Sequence, residues 1–93
     1  MTLKFAPWRG EPLFEWDDAN EAEIWKHKVD VFEVLQCFKN QYTVRPHNRA
    51  RSEPEKYGDR YFVQGRTNGG RKLLIVVQHK GDNQVRVITA WDL

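Results

Sequence analysis

The chain predicts an α+β domain in which two N-terminal helices pack on one face of a small, mainly antiparallel sheet. Three observations predict it. Acidic capping residues and apolar positions spaced by three and four are confined to residues 17–39. Strand-like runs punctuated by turn residues fill the last third of the chain. Finally, 93 residues, 40% of them hydrophobic, suit one core, since a chain of this size buries only roughly 60–65% of its unfolded surface.

The elements follow in order. Residues 1–13 contain Pro7, Gly10 and Pro12, which break helix and ladder alike, so they read as an irregular arm packing through Phe5 and Trp8 and ending where LFEW begins a short strand. Asp17 is a natural N-cap for a helix reaching about Lys28, with Ala22, Trp25 and Val29 as its buried stripe. Glu21 and Glu23 near its start and Lys26 and Lys28 near its end complement the helix dipole. Asp30 and Glu33 then form a D-x-x-E capping box ahead of Val31, Val34, Leu35 and Phe38, which predicts a second helix ending near Lys39 and Asn40.

QYTV reads as a strand interrupted by Pro46, and PHNRARSEPEKYG, short of aliphatics, as a long exposed loop. DRYFVQGRT is a strand, NGG a turn, RKLLIVVQHK a strand with a continuous aliphatic centre, and QVRVITAWDL the last strand after a GDN turn. Two helices followed by a three-strand meander leave the second sheet face partly free, and chemistry is expected there.

Composition sets further bounds. Cys37 is the single cysteine, so no internal disulfide or thiol-rich zinc site is available, and a reducing cytoplasm is the expected compartment. The start MTLKFAPWRG lacks a long apolar run, and no stretch approaches the ~20 apolar residues that cross a bilayer. Charge is split along the chain. Residues 44–72 hold eight Lys or Arg against three Asp or Glu, a surplus of five, whereas residues 1–43 hold five against eight. Such a basic block meets phosphate or an acidic protein partner.

FEWD at Phe14 to Asp17, Lys26-His27 with Val29, the Asp30 and Glu33 box closing at Phe38, Gly58-Asp59-Arg60-Tyr61, and Arg86 to Ala90 (RVITA) follow one another in an order that resembles the BrnT family of bacterial toxins. The resemblance covers roughly residues 14–91. It implies a RelE-like fold, metal-independent endoribonuclease activity without a cofactor, and membership of a type II toxin–antitoxin system. The partners it implies are RNA, free or ribosome-associated, and a cognate antitoxin of ribbon-helix-helix type. Three departures stand out: Lys28 replaces a helix-ending glycine, Trp91 stands where members commonly carry arginine, and the usual basic tail is missing after Leu93. A non-catalytic protein that has kept antitoxin or nucleic-acid binding is therefore the alternative.

In-line attack by a ribose 2′-hydroxyl needs a base, cations to hold the phosphorane charge, and an acid for the leaving oxygen. Arg60 and Arg86, on predicted strands, suit the cationic role because the guanidinium fork grips phosphate oxygens in a bidentate way. Arg60 and Arg66 share one sheet face by the period of two. His79, beside Lys80 at the end of a core strand, is the candidate for proton transfer; simple closure of the strand end is its other reading. Arg45, Arg49, Arg51, Arg66 and Lys80 are candidate RNA contacts; Tyr57, Tyr61 and Phe62 suit either base stacking or ordinary core, and Tyr61 or Phe62 must be core on one face. His27 suits a helix junction, its ring bonding a free helix carbonyl, and His47 suits a solvent-facing loop position from which it could reach phosphate. Three histidines at 27, 47 and 79 lack helix-borne metal spacing, so no metal site is expected.

Overall fold

A computed structural model describes residues 2–93. Five strands form one mixed sheet: β1 (Leu13–Glu15), β2 (Thr43–Pro46), β3 (Arg60–Arg66), β4 (Lys72–Gly81) and β5 (Gln84–Asp92), in the spatial order β1-β5-β4-β3-β2. The strands β2 to β5 run antiparallel to their neighbours, and β1 joins the edge parallel to β5. Three helices accompany them: α1 (Asp18–Trp25), α2 (Val31–Lys39) and a short α3 (Pro54–Tyr57). The fold is α+β, and no described helix is long and apolar enough to cross a membrane.

Both long helices begin as their caps dictate. Asp17 accepts from the Asn20 amide at 3.1 Å while the Asn20 side chain accepts from the Asp17 amide, and Asp30 and Glu33 make the same reciprocal pair. Lys28 takes a left-handed φ of 59°, the conformation for which glycine is favoured, and turns the chain between α1 and α2.

One cluster joins Ile24 of α1, Val29, and Val34 and Cys37 of α2 to alternate positions on the central strands, among them Val63, Ile75, Val77, Val85 and Val87. The other alternation forms a second cluster, Phe62, Leu74 and Val76 with Ile88 and Trp91 packed against it. The buried run Leu73 to Val77 of β4 feeds both clusters, which is why it is aliphatic without a break. Gly65 permits the close approach of α2, because a Cβ there would lie 2.9 Å from the Cys37 Cβ.

Several expectations are revised. The helix α1 stops at Trp25, and its buried residues are Asn20 and Ile24; Ala22 is exposed, as is Trp25. A two-turn helix rests on one i, i+4 pair, and here that pair carries a polar member. Asn20 Nδ2 donates to the Glu15 carbonyl at 2.7 Å and to the Val87 carbonyl at 3.2 Å, tying α1 to two strands. No hydrophobic pattern could show this. Within the arm, Trp8 is buried with its Nε1 donating to the Tyr42 hydroxyl, whereas Phe5 is exposed. Pro46 ends β2 instead of interrupting it, and the polar loop contains α3, started by Pro54 in the first turn, where a missing N–H costs nothing.

Candidate functional site on the sheet face opposite the two long helices

Register decides which side chains can act together. Gln78 pairs with Arg60 on one side and with Arg86 on the other, so these three form a row across β3, β4 and β5. At roughly 4.8 Å per strand, the two arginine backbones stand about 10 Å apart. The row belongs to the alternation of Phe62, Val76 and Leu74, the face without α1 and α2. Arg45 of β2 pairs with Phe62, and its guanidinium lies 4.6 Å from that ring centroid. Arg66 and Lys72 pair at the far end, beside an open cavity also lined by Asn40 and Leu93. An apolar, aromatic centre thus has a cationic rim.

His79 lies on the opposite alternation. It pairs with buried Val85, its ring sits 6.3 Å from that of buried Trp8, and its Nε2 donates to the Asp82 carbonyl at 2.8 Å. The sheet therefore separates His79 from Arg60 and Arg86, and the three do not converge as one constellation. His27 sits 3.6 Å from Glu23, and the carbonyl of His27 accepts from Arg71; its ring does not cap the helix.

The two arginines differ in availability. The guanidinium of Arg86 donates to Glu15 at 3.0 Å and to both Asp17 oxygens at 2.8 and 3.2 Å. That ion pair holds the Asp17 carboxyl well below its ordinary range, at about 2, with the bond from Arg86 as the main cause. Lys80 also donates to Glu15, at 2.7 Å. Arg60 has only a loose 3.7 Å approach from Nε to Asp59, whose other oxygen accepts from Gln78, and its shielded Nε has no hydrogen-bond partner among the described residues. Arg45, Arg51 and Arg66 make no ion pair among the described residues either, while Arg49 approaches Glu53 at 3.7 Å.

The feature sequence reasoning undervalued is His47. Its ring stacks on Tyr57, with centroids 4.4 Å apart and planes at 17°, and it packs on Phe62 at 4.7 Å. The loop thereby folds back over the second cluster, and His47 is only partly exposed. Its amide donates to the Arg60 carbonyl at 3.0 Å, which places the ring beside the strand that carries Arg60. Burial, followed by the nearby cations of Arg49 and Arg60, lowers the pKa of the imidazole. The Tyr57 phenol is also lowered, chiefly by the bond from Arg49. The signal available in the sequence was the spacing of His47 and Tyr57 about a proline-started turn; their joint docking on Phe62 is long-range.

Comparison of the chain with protein-family models, curated proteins and solved structures gives no match. The functional reading rests on the geometry and on the ordered motifs described above.

Proposed function

We propose that this protein is the toxin component of a type II toxin–antitoxin pair, a metal-independent endoribonuclease that engages RNA on the sheet face opposite α1 and α2. One observation carries the reading: the register gathers Arg45, Arg60, Arg66 and Arg86 around the aromatic centre formed by Phe62 and its neighbours. Phosphates suit the rim, and unpaired bases suit the partly exposed Trp91 beside the buried centre. In the reaction, the ribose 2′-oxygen attacks phosphorus, its proton passes to a base, and the 5′-oxygen leaves with a proton. Arg60, whose fork is uncommitted, would hold the charge on the equatorial oxygens. On this side of the sheet the Asp59 carboxylate, which also accepts from Gln78, can take the proton, and the Tyr57 phenol can supply one to the leaving oxygen. An antitoxin covering the same rim would silence the protein.

The test is cleavage of RNA in EDTA by protein freed of any antitoxin. Arg60→Ala should reduce the rate by roughly 10²–10³-fold with the fold retained, the loss that follows removal of one oriented charge-stabilising donor. Full activity of that variant would remove Arg60 from the site, and activity abolished by EDTA would overturn the metal-independent reading. A second reading has its own support. Arg86 is committed to two carboxylates and His79 lies across the sheet, which favours a non-catalytic RNA or antitoxin binder. Tight RNA binding without cleavage would select it.

A further inference from the structure

The geometry points to His47 as a fixed neutral hydrogen-bond donor that contacts a phosphate oxygen of single-stranded RNA on the face opposite α1 and α2, a binding residue and not a proton carrier. The inference rests on the RNA reading above and specifies which group makes the contact. Position is set first. The imidazole is clamped between Tyr57 and Phe62, so its plane is held, and its own amide is tied to the Arg60 carbonyl.

The tautomer is set next. Nδ1 accepts the Arg49 backbone N–H at 3.0 Å, so the proton of the neutral ring resides on Nε2. Adding a second proton at Nδ1 would break that bond. The neighbouring guanidinium groups of Arg49 and Arg60 oppose the charged form, with Glu53 a smaller influence in the other direction, and these act together with burial. Nε2 itself has no partner among the described residues. A group with its lone pair occupied and its N–H free cannot take the 2′-hydroxyl proton, but it can donate to an anionic oxygen.

The surroundings identify the ligand class. Arg45 lies over the Phe62 ring and Arg49 over Tyr57, so cations flank the stack while Arg60 follows on the adjoining strand. A single strand offers its phosphates to these cations and a base face to the partly exposed Trp91 on the same alternation; a duplex hides the latter.

The experiment uses the full chain and a 2′-O-methyl oligoribonucleotide, which binds without being cut by 2′-oxygen attack. Nitrogen-15 spectra of the histidine rings at pH 7 should show the Nε2–H form for His47, and saturation with the oligonucleotide should shift Nε2. His47→Phe keeps a flat ring in the stack but removes the donor, and affinity should fall roughly tenfold or more, the loss of one hydrogen bond to a charged oxygen. His47→Gln, whose amide N–H reaches toward the same place, should recover part of it.

Binding by His47→Phe equal to that of the unmodified protein would overturn the assignment and leave the RNA reading standing. So would an Nδ1–H or imidazolium form, or an Nε2 signal unmoved by bound oligonucleotide, and these spectra decide the matter even if the phenylalanine variant fails to fold. No binding by the unmodified protein would overturn both readings.

Discussion

Single residues of the same type serve different ends here, and hydrogen bonding tells them apart. Arg86 is locked to Glu15 and Asp17, so Arg86→Gln should lower the denaturant midpoint well beyond error, whereas Arg60→Gln should leave stability within about 0.5 kcal/mol. Equal midpoints for the two variants would erase the distinction. Cys37 is fully buried against Gly65, and burial pushes its thiol up to about 11. At pH 8 only roughly one thiol in 10³ is then ionised, so alkylation of the folded protein should be slow and should accelerate with denaturant. Rapid labelling of native protein would contradict that burial.

At the level of elements, the junction between α1 and α2 depends on a residue far away in sequence. Arg71 Nη1 donates to the Lys28 carbonyl at 2.8 Å and to both Glu33 oxygens at 2.9 Å, and Nη2 donates to Asp92 at 3.0 Å. It therefore satisfies the turn between α1 and α2, steadies the capping box of α2 and holds the end of β5. Asp30→Ala removes one cap and should cost about 0.5–2 kcal/mol. Arg71→Ala should cost more, about 2–3 kcal/mol, since it strands the Lys28 carbonyl in the turn and leaves Glu33 without its ion pair in a partly exposed setting that discounts the full value of a charged bond. Urea unfolding of both variants checks the order, and a smaller loss for Arg71→Ala would refute it.

Over the whole molecule, these ion pairs set the response to acid. Asp17 is held near 2 by Arg86, Glu15 is lowered chiefly by Lys80, and Asp92 is lowered by Arg71. Their ordinary values are 3.8 for aspartate and 4.5 for glutamate, so the unfolded chain binds more protons than the folded one as the pH falls below about 4.5. Stability from these carboxylates is complete above that range and is lost as the pH descends toward 2. Thermal midpoints recorded from pH 6 to pH 2 should fall mainly in that interval, and less steeply in 1 M salt where exposed pairs are screened. A midpoint that stayed level to pH 2 would show that the pairs carry no linkage.

What the sequence by itself determined was local. The N-cap at Asp17, the capping box at Asp30, the turn glycines and the aliphatic run of β4 are all read from neighbours within four residues, and each stands where those neighbours require. The shared face of Arg60 and Arg66 was also legible, because it needs only a period of two. The tertiary structure alone decided what meets across elements. Strand order and register put Gln78 between Arg60 and Arg86, turned His79 toward Trp8, and left a bulge at Ile88 where β5 inserts one residue more than β4. Arg71, Asn20 and His47 gained their roles through partners many residues away, which no window of sequence contains. A slip of one residue in any of these ladders would exchange the two faces, so the site is a property of pairing, and pairing is fixed only when the helices bury one alternation and leave the other to the arginines.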